Sequence, residues 1–151
     1  MKGSILDRLI DMEPDVTVEP VQYRSFSYTQ MRGMVERDLE NLLNTKCFTS
    51  DILEPYAELK KSLLTYGVSD FTSKNPATPS VRADLRQEIE RTITTFEPRL
   101  KNVAVKFEIR EKGERHLKFT ITAVLLLDDE SEPVNFSTFF DTNRCEYSIS
   151  S

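Results

Sequence analysis

Few residues in this chain have the types and spacing that chemistry requires. Glu97 and Arg99 flank Pro98, opposite charges two positions apart, with apolar Phe96 and Leu100 outside them. Opposite charges held on either side of a proline form a rigid polar hook. On chemistry alone the structural role is stronger: Arg99 satisfies carbonyls orphaned at a helix end and pairs with Glu97.

The remaining candidates are weaker. His116, the single histidine, lies in Glu114-Arg115-His116-Leu117 at an expected hairpin, and any Ser-His-Asp or Cys-His site would depend on it. Cys47 and Cys145 are isolated, so free thiols are expected. Asp128, Asp129 and Glu130 read as a solvated turn and lack the spacing of a calcium loop. Four scattered glycines supply no phosphate-binding loop. No catalytic residue, metal site or cofactor is therefore expected.

The net charge of -5 and isoelectric point near 5.0 argue against a nucleic-acid partner. No apolar run reaches the roughly 20 residues of a membrane span, so direct membrane insertion is not expected. Met1-Lys2-Gly3-Ser4-Ile5-Leu6-Asp7-Arg8 carries charges where a signal peptide needs its apolar centre. At 151 residues and 38% hydrophobic, the chain suits one domain with its own core.

The elements that must hold the Glu97-Pro98-Arg99 corner follow from periodicity. Ser4 can cap a short helix with Ile5, Leu6, Leu9 and Ile10 on one side, and residues 11–24, with Pro14 and Pro20, read as an extended connector. Ser27 and Gln30 match a capping box. The helix they open runs to about Asn44, with Met31, Met34, Val35, Leu39, Leu42 and Leu43 on one stripe. Pro55 suits the start of another helix, with Tyr56, Leu59, Leu63 and Leu64 on its apolar side and Gly67 at its stop. Thr78-Pro79 opens the clearest helix, lined by Val81, Leu85, Ile89, Ile93 and Phe96.

Pro98 cannot continue that helix and pushes Glu97 toward an extended conformation. The stop is thus expected near Phe96, with Glu97 and Arg99 displayed on a rigid corner. The period then switches to two. Val103, Val105, Phe107 and Ile109 form one strand; Leu117, Phe119, Ile121 and Ala123 form the next. Val124-Leu125-Leu126-Leu127 predicts burial on both faces there, and residues 128–133 predict a charged turn. Val134, Phe136, Phe139 and Phe140 read as a third strand, and Cys145, Tyr147 and Ile149 as a short fourth. The expected class is α+β: N-terminal helices packed on a C-terminal antiparallel β-meander, with residues 1–24 as helix and connector and residues 25–151 as a single domain.

Three segments together resemble a family. They are Asp38-Leu39-Glu40-Asn41-Leu42-Leu43-Asn44-Thr45-Lys46, Ser62-Leu63-Leu64-Thr65-Tyr66-Gly67-Val68-Ser69-Asp70 and Phe96-Glu97-Pro98-Arg99-Leu100. Their order and spacing are similar to the lysozyme-like baseplate wedge proteins of contractile tails, and within them to the TssE subunits of type VI secretion baseplates. Ser4-Ile5-Leu6-Asp7-Arg8-Leu9 resembles the same opening. Lys46-Cys47 and Thr65 depart from the pattern, where an arginine-rich end and an asparagine are usual.

The resemblance implies a structural, non-enzymatic protein that joins the baseplate wedge to the first sheath ring and helps initiate sheath assembly. Its implied partners are TssF- and TssG-like wedge proteins and TssB/TssC-like sheath proteins. Its implied place is cytoplasmic, within a baseplate docked at the inner membrane. By the same carry-over Glu97, Pro98 and Arg99 become partner-binding residues, which turns the balance from capping toward interaction. The fourth strand, with Cys145, Tyr147 and Ile149, is a sheet edge and a candidate for strand addition by the sheath. The alternative, that this edge is covered within its own domain, weighs equally. The family's lysozyme-like label also implies a cell-wall glycan hydrolase as an alternative, with Glu97 as the candidate acid and Asp70 as its candidate partner. A neighbouring guanidinium favours the ionised carboxylate, the wrong form for a general acid, so the structural role is stronger. Other readings are a phage-tail-like baseplate protein and an α+β adaptor unrelated to secretion.

Overall fold

The structure is a computed structural model and describes residues 27–48, 56, 58–70, 78–108, 116–127, 131–141 and 144–150. The expected helix at Ser4, the connector 11–24, the turn 111–115 and the acids Asp128, Asp129 and Glu130 lie outside these residues.

Helix α1 spans Tyr28–Asn44. Its capping box forms as the sequence predicts: Ser27 Oγ accepts from the Gln30 amide at 3.3 Å, and Gln30 Oε1 accepts from the Ser27 amide at 2.9 Å. Met31, Val35, Leu39, Leu42 and Leu43 are buried on one stripe, while Met34 is only half-buried. Helix α2 spans Pro79–Phe96, with Pro79 in its first turn, where a missing N–H costs no helical bond. It buries Leu85, Ile89 and Ile93.

The helix expected after Pro55 is not found among the described residues. Leu59–Lys61 and Leu63–Thr65 form two 3₁₀ turns instead. Of the side chains expected to be its apolar face, Leu63 at 88%, Tyr56 at 57% and Leu64 remain exposed, and Leu59 is half-buried. Ser62 and Thr65 explain the break: their hydroxyls take the Leu59 carbonyl at 2.7 and 3.2 Å, offering the backbone an alternative to an α-helical ladder.

Strands β1 (Leu100–Phe107), β2 (His116–Leu126), β3 (Ser131–Asp141) and β4 (Glu146–Ser150) form one antiparallel sheet in sequential order. This is the expected meander. β1 begins three residues earlier than the alternation suggests, because a bulge between Lys101 and Ala104 hides its first part from a period of two. Asn102 takes φ 52° there. β3 likewise starts inside the stretch expected to be a turn. In β2 the buried residues keep to alternate positions through Leu125, and Val124 and Leu126 are half-buried. The second face of that strand is partly open, against expectation.

The helices share one face of the sheet, α2 against β1 and α1 against β4. Phe119, Ile121, Leu125 and Phe136 fill the space beneath them. Among the described residues no helix is long and apolar enough to cross a membrane.

Candidate functional site

The Glu97-Pro98-Arg99 corner is built where α2 hands over to β1. The Glu97 amide donates to Ile93 O at 2.8 Å, closing the helix, and the Leu100 amide donates to Glu97 O at 3.1 Å, closing a turn with Pro98 at its second position. The Leu126 amide donates to Arg99 O at 2.9 Å, so β2 holds the far side of the turn. Helix end, turn and sheet thereby fix the corner's backbone.

The side chains do not sit as the sequence predicts. Glu97 is 5% exposed and Arg99 9% exposed, so neither is displayed; Pro98 alone of the three is exposed. Arg99 Nε donates to Glu97 Oε1 at 2.6 Å and Nη2 to Glu97 Oε2 at 2.5 Å, a two-pronged pair. The Arg99 amide also donates to Glu97 Oε1, at 3.2 Å. The expected pairing of the two residues is therefore present, but directed inward.

A third residue completes the network. Arg99 Nη2 lies 2.6 Å from Asp38 Oδ2 on α1. Asp38 Oδ1 in turn accepts from Arg37 Nη2 at 2.9 Å. Spacing and residue type alone give Asp38 no role, although the residue opens one of the segments that carry the resemblance. Only its position on the polar shoulder beside Leu39 hinted that it faces another element.

Burial of the Arg99 guanidinium disfavours its charge, but the hydrogen bonds and charges of Glu97 and Asp38 outweigh that, and its pKa rises above the ordinary arginine value. Tyr66 borders the same charges. Burial, then the fields of Asp38 and Glu97, pushes its phenol upward. Its ring stands edge-on to Phe96 at 5.2 Å.

The candidate acid pair is not brought to one task. Both Glu97 oxygens are engaged by Arg99, whereas Asp70 accepts from Lys46 Nζ at 3.0 Å on the surface. Among the described residues no group of three metal-ligating side chains occurs. In the fourth strand Tyr147 is buried against Phe140 and Phe119, at centroid distances of 4.5 and 6.2 Å. Ile149 is half-buried, and Cys145 is exposed just before the strand at φ 55°.

Fold and corner define a small α+β scaffold domain, in which two helices are locked to a meander by an inward-facing charge network. The chain belongs to the baseplate wedge protein gp25 family, whose description it matches over residues 29–130. That stretch runs from α1 through β2 and ends just before β3. No curated protein matches the sequence. A chain from a solved structure described as "The baseplate complex from the type VI secretion system" shares the fold, with a TM-score of 0.53 and 17% identity, covering 74% of this chain and 94% of that one.

Proposed function

We propose that this protein is a TssE-type structural subunit of a type VI secretion baseplate, joining TssF- and TssG-like wedge proteins to the first ring of the sheath and helping to start sheath assembly. In this reading it works in the cytoplasm, in a baseplate at the inner membrane, and has no enzymatic role. Residues 25–151 make up the wedge domain. Membership of the baseplate wedge family and the fold shared with a type VI baseplate chain support the assembly role.

The observation that carries the docking assignment is the exposed Pro98 at the tip of a corner whose other two side chains are locked inward. A preorganised tip binds without the entropy cost of ordering a loop. Glu97 and Arg99 contribute by positioning Pro98 and lending the corner its field. β4, with Tyr147 and Ile149 and with Cys145 just before it, is the second contact, an edge for an extended sheath segment.

Co-purification with TssF- and TssG-like proteins tests the corner. Pro98→Glu places a charge on the tip and leaves the Glu97-Arg99-Asp38 network in place. Loss of the complex with an unchanged melting temperature is expected. Wild-type levels of complex from Pro98→Glu would remove the corner from the interface.

A further inference from the structure

Among the described residues, the sheet has three runs of backbone without a neighbouring strand. β1 and β4 are its two edges, and β3 continues past the end of β4, which pairs with it only from Ser137 to Asp141. Antiparallel pairing sends the N–H and C=O of alternate residues outward along such runs. In each of the three a helix side chain meets them. Glu90 Oε1 accepts from the Val105 amide at 2.8 Å on β1. Arg32 Nη2 donates to Asn135 O at 3.3 Å on β3, where Pro133 lacks a donor altogether.

Asn44, the last residue of α1, does something different on β4. Its Nδ2 donates to Tyr147 O at 2.8 Å, and its Oδ1 accepts from the Tyr147 amide at 2.8 Å. A side-chain amide carries the same donor and acceptor as a peptide group. Asn44 therefore occupies the place of one peptide unit in a fifth strand.

We propose that Asn44 is a displaceable latch on the β4 edge, and that an extended backbone segment of a partner protein docks by replacing it. The proposal rests on the reading of β4 as a strand-addition edge and adds how that edge is kept closed until the partner arrives. The exchange conserves hydrogen bonds. A partner carbonyl takes the Tyr147 N–H, a partner amide donates to Tyr147 O, and Asn44, whose side chain is already exposed, turns to water.

The other covers do not permit this exchange. A carboxylate at Val105 only accepts and a guanidinium at Asn135 only donates. Arg32 is also held over the Phe136 ring, 6.0 Å from its centroid. Tyr147 can keep its place during docking, since its ring faces the core between Phe119 and Phe140. Ile149, the next outward position along β4, extends the same ladder. Covering an edge with a helix is a defence against unwanted pairing; here the helix does so through a neutral amide with the donor and acceptor of a peptide, which makes the cover reversible.

The test compares wild type, Asn44→Ala, Asn44→Asp and Ile149→Pro, all checked for folding by thermal melts. Hydrogen exchange is read at the Tyr147 and Ser148 amides, and affinity is read against the purified TssB/TssC-like sheath heterodimer. In Asn44→Ala the Tyr147 amide should exchange about tenfold faster, with Ser148, which pairs with Phe139, unchanged. The heterodimer should bind several-fold more tightly. Asn44→Asp keeps the acceptor and the size, loses the donor, and should fall between; it also serves if the alanine variant melts early. Ile149→Pro removes an outward donor from an edge strand that tolerates proline and should abolish binding.

Equal Tyr147 exchange in wild type and Asn44→Ala would overturn the latch. Faster exchange with unchanged affinity, while Ile149→Pro still abolishes binding, would leave β4 as the docking edge and remove Asn44 as its gate. Normal binding by a folded Ile149→Pro would sink the β4 reading itself, and the latch proposal with it.

Discussion

Arg99 Nη2 lies 2.6 Å from Asp38 Oδ2, across 61 positions of sequence, and thereby ties the α2–β1 corner to α1. With Glu97 the guanidinium is shared by two carboxylates that lie 6% and 20% exposed. Removing one partner from a buried ion pair is costly, because it strands the other charge away from water. Arg99→Ala should cost about 3–5 kcal/mol of stability. Asp38→Ala leaves Glu97 as a partner and should cost about 1.5–3 kcal/mol. Urea unfolding of both variants at neutral pH checks the order. A loss below about 1 kcal/mol for Arg99→Ala would mean that the network does not brace the corner.

Gly67 is a second point where the chain cannot change. Its φ is +108°, and an added Cβ would stand 2.2 Å from Thr45 O. The close approach lets the Val68 amide donate to Thr45 O at 2.9 Å and lets Gly67 O accept from the buried Thr92 hydroxyl at 3.4 Å. Gly67→Ala should destabilise by at least about 1–3 kcal/mol, through strain and displacement of the α1 end. A melting curve that matches wild type would contradict the tight approach.

Alkaline pH should weaken the fold through two phenols. Burial, then the charges of Asp38 and Glu97, raises the pKa of Tyr66; burial, then Cys145, raises that of Tyr147. A raised folded value means that the folded protein holds the proton more tightly than the unfolded chain, which releases it near about pH 10. The stabilisation is thus complete below about pH 10 and is lost as pH climbs through the folded values. Melting temperatures from about pH 8 to about pH 11 should fall steeply at the upper end for wild type, and less so for Tyr147→Phe. Parallel curves for the two proteins would exclude Tyr147 as a source of the loss.

The exposed apolar side chains of the 3₁₀ turns should be dispensable for folding. Leu63 and Leu64 are 88% and 53% exposed. Leu63→Ser and Leu64→Ser should each leave stability within about 0.5 kcal/mol of wild type in urea titrations. A larger drop would show that other parts of the chain pack on these residues in solution.

The sequence by itself determined the local structure wherever one period or one residue type decides. The capping pair Ser27 and Gln30, the stripe through Leu39, the proline stop after Phe96 and the strand alternation needed no distant partner. Together they specified an α+β meander. Where local signals compete, spacing alone does not decide the structure. The stretch through Leu59 and Leu63 has helical spacing, but serine and threonine hydroxyls there engage nearby carbonyls and break it into 3₁₀ turns. The bulge at Asn102 hid the start of β1 in the same way.

Only the tertiary structure decided which way the charges of the corner point. Spacing places Glu97 and Arg99 on a turn, but it cannot say that Asp38, 61 residues away, supplies the opposing carboxylate that draws Arg99 inward. Nor can it say that Asn44 takes up the free backbone of Tyr147, 103 residues later. A periodic pattern tells which side of an element is apolar. The partner of a polar side chain at its margin is fixed only when two elements meet, because that choice depends on distances of a few ångströms between residues the chain keeps far apart.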